Sequence, residues 1–155
     1  MEMMKLHRSN LVIVWIGIGA MTALSLLASG GNFLWALNGV ICIEEAKQHL
    51  REKARPDLVS YPDSIDGYDT VILAYPNYCG TIPMVVATFL ERYDFTGKTI
   101  LPLCTNEGSG MGGSEKTIKQ CAPGGDVKKG LSVNGSNAAN SGDDVRRWLK
   151  VNGLI

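Results

Sequence analysis

Two short segments hold the residues of this chain best suited to chemistry: Tyr75-Pro-Asn-Tyr-Cys-Gly-Thr81 and Cys104-Thr-Asn-Glu-Gly-Ser-Gly-Met-Gly-Gly113. Both are polar and glycine-bearing, with amides in each and aromatic rings in the first. Such groups grip and orient a ligand. The second segment is also longer than a strand-to-helix connector needs to be. Plain flexible loops with no ligand are the competing reading. Acid–base and nucleophilic chemistry find little purchase. There is no Ser/His/Asp set and no pair of carboxylates at a recognisable spacing, so a hydrolase has no support. His7 and His49 lie far apart and outside both segments. Cys42, Cys79, Cys104 and Cys121 stand singly, with no CxxC or Cys/His cluster, so no metal site is expected.

The elements that must position those segments follow from pattern. Thr70–Tyr75 (TVILAY) is a continuous apolar run bounded by Asp69 and Pro76, the mark of a strand buried on both faces. Thr99–Cys104 (TILPLC) is a second such run, with Pro102 as an irritant inside it, and Gly130–Val133 (GLSV) is a weaker third. Helices fall between and around them. Glu44–Lys53 is charged and helix-prone and is ended by Arg55-Pro56. Pro83 opens a helix with Val85, Val86, Phe89 and Leu90 as its apolar stripe. Ser114–Cys121 begins with a serine able to cap it. Ser141-Gly-Asp-Asp144 reads as a cap, followed by Val145, Trp148 and Leu149 on one face, with Trp148 expected in the core. Strand and helix alternate, which implies a parallel sheet with right-handed crossovers. Ligands of such sheets bind beyond the carboxyl ends of the strands, where the two polar segments fall.

Composition narrows the class. A chain of 155 residues is one domain's worth, and a formal net charge of +0 leaves no basic face for nucleic acid. Scattered cysteines read as reduced, mostly buried thiols, and a reducing cytoplasm fits them. Asn134-Gly-Ser136 matches a glycosylation sequon, but in a cytoplasmic protein it is a turn.

The run from Asp69 through Pro83, then Thr88–Thr99, then Pro102–Gly110 resembles the flavodoxin family, in its bacterial branch with a YPNWWGT-type loop. Lys53-Ala-Arg-Pro-Asp-Leu58 resembles the segment that branch places before its third strand, and the likeness extends over about residues 44–154. The resemblance implies a flavodoxin-like three-layer α/β sandwich with strand order 2-1-3-4-5. It also implies flavin mononucleotide (FMN), held by one phosphate loop and two loops flanking the flavin ring. Carried over residue by residue, Pro76, Asn77, Tyr78, Cys79 and Gly80 form one flanking loop. Thr105, Asn106, Glu107, Gly108, Ser109 and Gly110 form the other. Tyr78 is expected to stack on the ring, and the Gly80 peptide to reorient cheaply toward the flavin N5. Cys79 departs from the pattern, because the branch often has a second aromatic there and a thiol covers less ring. Glu107 reads either as an acid that holds off the anionic reduced flavin or as a solvated loop charge.

The start of the chain is ambiguous. The stretch from Ser9 to Ile43 carries no charged residue. On the family layout, Leu11–Ile16 is the first strand, Gly17–Thr22 the phosphate loop, Ala23–Ser29 the helix and Phe33–Leu37 the second strand. Only Thr22 and the glycines keep the loop's chemistry. A membrane or signal segment over Leu11–Ser29 competes, since it is just long enough to span and is flanked by Lys5 and Arg8. A start scrambled by a shifted reading frame is the third reading. The chain thus divides into an apolar segment, 1–43, and a flavodoxin-like domain, 44–155. The leading functional expectation is an electron-transfer protein that binds FMN and meets a redox partner protein. Two alternatives stand beside it: an FMN-dependent NAD(P)H/quinone reductase, and a non-catalytic or membrane-tethered remnant.

Overall fold

The structure, a computed structural model, describes residues 3–4, 11–15, 44–58 and 61–155. Its strands and helices alternate. In chain order they are β1 (Met3–Met4), β2 (Leu11–Trp15), α1 over 44–52, β3 (Thr70–Pro76) and α2 (Met84–Arg92). Then come β4 (Thr99–Asn106), α3 (Ser114–Cys121), β5 (Asp126–Val127), β6 (Leu131–Asn134), a 3-10 segment (Gly135–Asn140) and α4 (Gly142–Val151).

β3 is central because every position from Val71 to Tyr75 is buried, as an apolar run with β-branched residues demands. It pairs in parallel with β4, Thr70 opposite Thr99 and Pro76 opposite Thr105, so the two polar segments leave the sheet side by side. On its other edge β3 pairs in parallel with β2, Leu11 opposite Thr70. Beyond β2 lies the two-residue β1, antiparallel. The order through β2, β3, β4 and the β5/β6 edge is that expected for strands 1-3-4-5. The expected second strand, Phe33–Leu37, lies outside the described residues, as do the Gly17–Thr22 loop and the Ala23–Ser29 helix.

Pro102 is tolerated inside β4 for a visible reason. The edge beside β4 is split: β5 pairs with Thr99 and Ile100, and β6 with Leu103 to Asn106. Pro102 falls at the interruption, where its missing N–H breaks no ladder on that side. The third expected strand, Gly130–Val133, is found as β6 one residue on, and β5 is a short piece that was not expected.

Two layers cover the sheet. On one face Val71, Leu73, Tyr75, Ile100 and Cys104 pack with Val86, Ala87, Phe89 and Leu90 of α2, Ile118 and Cys121 of α3, and Phe95. Phe89 sits at the centre of an aromatic group, 5.2 Å from Tyr93 and 6.2 Å from Phe95 between ring centroids. On the other face Ile72 and Leu101 meet Trp148, Leu149 and Leu154. Trp148 is half-buried rather than a core residue, with its indole Nε1 donating to the Lys129 carbonyl at 3.1 Å.

Helix ends differ from expectation in detail. Neither expected serine cap forms: Gly113 precedes α3 with no side-chain cap, and the Ser141 hydroxyl donates to Ala138 O at 2.7 Å instead. Ser114 is fully buried, and its hydroxyl makes no hydrogen bond among the described residues. α1 ends at Lys53, whose φ of 49° turns the chain before Pro56. No helix among the described residues is long and apolar enough to cross a membrane.

Candidate flavin site

The first loop is a tight turn. Tyr78 N–H donates to Thr81 O at 2.8 Å and Thr81 N–H returns the bond to Tyr78 O at 3.1 Å. The two residues between them, Cys79 and Gly80, take φ of 49° and 86°. Positive φ at both central positions is what a two-residue turn of the primed type requires, which suits Gly80 and leaves Cys79 strained. Both are exposed at the tip.

The second loop is organised by Asn106. Its Oδ1 accepts from the N–H groups of Gly108 and Gly110, each at 2.9 Å, and its Nδ2 donates to Ser132 Oγ at 2.8 Å. Three glycines at φ of 108°, 63° and 54° (Gly108, Gly110, Gly112) let the backbone double back before α3. Glu107 is exposed but engaged: its Oε2 accepts from Ser136 Oγ at 2.6 Å, which ties the loop to the 3-10 segment.

The loops are joined to each other backbone to backbone. Asn77 N–H donates to Thr105 O at 2.7 Å, and Gly113 N–H donates to Gly80 O at 2.7 Å. A Cβ on Gly112 would stand 2.2 Å from the Gly80 carbonyl oxygen, so only glycine allows this approach. The Asn77 side chain spans the same gap, accepting from Gly80 N–H at 2.9 Å and donating to Gly110 O at 3.0 Å. At Gly80, Gly108 and Gly110, by contrast, an added Cβ would meet nothing within 4 Å. The loop backbones there face open space.

Beneath the loops the strand ends are dry. Burial pushes the Cys104 thiol up to about 11, and its Sγ donates weakly to Thr105 O and Gly110 O. Burial also raises the Tyr75 phenol well above its usual range. Neither group is poised to ionise at neutral pH, so the floor offers packing rather than acid–base chemistry. The described residues hold no cluster of His, Cys, Asp or Glu suited to a metal ion.

All eleven expected residues of the two flanking loops therefore converge at the carboxyl ends of β3 and β4, while Thr22 lies outside the described residues. Two features were not legible beforehand. The carboxamides of Asn77 and Asn106 are committed to holding the loops, and Gly112 and Gly113 form the contact between them. The repeated glycines of the second segment were the available signal, but their partner across the gap was not.

Comparison with known proteins agrees with this geometry. The flavodoxin family profile matches residues 44–152. A crystal structure of a "putative flavoprotein" from Bacteroides uniformis is similar with a TM-score of 0.59 and 30% identity, over 68% of this chain and 66% of that one. A counterpart from Bacteroides eggerthii gives 0.59 and 29%, over 69% and 65%. The chain thus spans just under two thirds of the length of the solved structures it matches. No curated protein matches the sequence. With a parallel sheet of this order and two loops closed on each other at its carboxyl edge, the chain belongs to the flavodoxin family.

Proposed function

We propose that this protein binds FMN between the Pro76–Gly80 and Thr105–Gly110 loops and transfers electrons to or from a redox partner protein. The observation that carries the reading is the pair of glycine-bearing loops bonded to each other at the ends of β3 and β4, with open space at Gly80, Gly108 and Gly110. Those residues suit a flavin ring as the lining of a slot: the loops are glycine-rich, Tyr78 brings an aromatic side chain, and Glu107 is the one charged residue of the two loops. Bound flavin supplies one-electron redox chemistry, and the chain supplies placement and a fixed polar surround. Cys79 at the tip adds little ring cover.

The strand Leu11–Trp15 runs parallel to β3, and on the family layout the phosphate loop that follows it is Gly17–Thr22. That loop offers backbone N–H groups and one hydroxyl, where the family usually offers several. A hydrogen bond to a charged group contributes about 1.5–3 kcal/mol, so two missing hydroxyls cost roughly 3–6 kcal/mol, or two to four decades of affinity. The protein accordingly holds FMN weakly, in roughly the micromolar range or above.

Carrier and reductase separate in one experiment. The FMN-loaded chain is mixed with NAD(P)H and a quinone, alone and with a flavodoxin reductase. Reduction that needs the reductase is the expected result; rapid NAD(P)H oxidation by the chain alone would make it an enzyme instead.

A further inference from the structure

Asn77 stands first after β3, yet its contacts reach both loops. Its backbone N–H donates to Thr105 O, its Oδ1 accepts from Gly80 N–H, and its Nδ2 donates to Gly110 O, at 2.7, 2.9 and 3.0 Å. A single half-buried side chain thus uses its donor on one loop and its acceptor on the other. The Gly80 carbonyl, which belongs to the following peptide, accepts from Gly113 N–H, and Gly112 approaches it too closely to carry a Cβ. Gly80 at positive φ has no side chain to hold it, so without Asn77 its N–H would face solvent and the Cys79–Gly80 peptide would lose the bond that orients it.

We infer that Asn77 is the positioning residue of the slot: its carboxamide sets the direction of the Gly80 N–H and the spacing of the two loops before any cofactor arrives. The inference rests on the flavin reading for its purpose, but not for its geometry. A trans peptide directs N–H and C=O in opposite senses, so capture of the Gly80 N–H by Asn77 also turns the Cys79 carbonyl away from Asn77. Flavin then meets a peptide whose donor is already occupied. The orientation of that peptide, and with it the potential of a bound flavin, depends on Asn77.

The test uses the full chain without flavin and then with FMN. Amide hydrogen exchange is read residue by residue for wild type, Asn77→Ala and Asn77→Asp. A neutral hydrogen bond of about 1 kcal/mol corresponds to about fivefold in exchange. In Asn77→Ala, exchange at Gly80 rises by about that factor or more, while Gly108 and Gly110, whose N–H groups are held by Asn106, and the amides of Val71–Tyr75 and Ile100–Cys104 stay unchanged. Asn77→Asp keeps the acceptor and loses the donor to Gly110 O, so Gly80 stays protected there. With FMN added, Asn77→Ala binds roughly tenfold more weakly than wild type, as expected for two such bonds less partial compensation. Its flavin midpoint potential also shifts, whereas that of Asn77→Asp lies nearer wild type. Unchanged exchange at Gly80 in Asn77→Ala, or uniform quickening that includes the core strands, overturns the inference. So does an unshifted potential. If wild type binds no FMN, the functional reading fails, and the exchange pattern still decides the role of Asn77.

Discussion

Gly112→Ala attacks the contact between the loops at its tightest point. Two costs arise in the folded protein. The residue sits at φ 54°, and an L side chain in the left-handed region costs about 1–2 kcal/mol. The new Cβ would lie 2.2 Å from the Gly80 carbonyl oxygen, so the loops must open by roughly 1 Å to reach ordinary contact. Opening strains the 2.7 Å bond from Gly113 N–H to Gly80 O, worth about 1 kcal/mol. Total destabilisation is therefore about 2–3 kcal/mol. Gly97→Ala is the control: its φ of 74° brings the same backbone cost, but nothing lies within 4 Å of the added Cβ. Urea unfolding should place Gly112→Ala about 1 kcal/mol below Gly97→Ala. FMN titration should show Gly112→Ala weakened by roughly fivefold and Gly97→Ala unchanged, since one decade is about 1.4 kcal/mol. If the two variants match in both assays, the interlock of the loops is not what shapes the slot.

Alkylation should discriminate among the thiols. Cys79 is exposed, whereas Cys104 and Cys121 are buried and pushed up to about 11, so iodoacetamide should modify Cys79 first in native protein. Peptide mass mapping reads the order, and equal labelling of Cys104 would contradict it. The Arg55–Glu91 pair, joined at 2.6 and 2.7 Å between α1's exit and α2, should contribute modestly. Its hydrogen bonds to Arg55 hold the Glu91 carboxyl below its ordinary 4.5, so the stabilisation is complete above that pH and is lost as pH falls through the depressed value. With side chains 35% and 42% exposed, Glu91→Gln should cost about 0.2–1 kcal/mol at pH 7 and nothing in strong acid. A cost that persists in acid would point to packing instead.

Where a single element's composition decides its state, the sequence was readable. Thr70–Tyr75 could only be an interior strand, and β3 runs Thr70–Pro76. Pro83 and the Val86/Phe89/Leu90 stripe marked α2, and Thr99–Cys104 marked β4 although it extends two residues further. Features that depend on a distant partner were hidden. Pro102 looked wrong for a central strand until the β5/β6 break was seen beside it. Ser114 looked like a helix cap, but as the first residue of α3 it lies fully buried and caps nothing. The two flanking loops were named from their residue types, whereas the Asn77 bridge and the Gly112–Gly80 approach join residues more than thirty positions apart. No local pattern encodes such a contact.

Flavin fluorescence titration of the purified full chain tests the central claim most directly. FMN emission is followed as protein is added, with riboflavin as a parallel probe for any contribution from the phosphate. The account predicts saturable quenching at one FMN per chain, with a dissociation constant of roughly micromolar or above, and much weaker binding by Tyr78→Ala. Protein that retains stoichiometric FMN through dialysis would contradict the weakened phosphate loop. Absence of binding at millimolar FMN would contradict the flavin site itself.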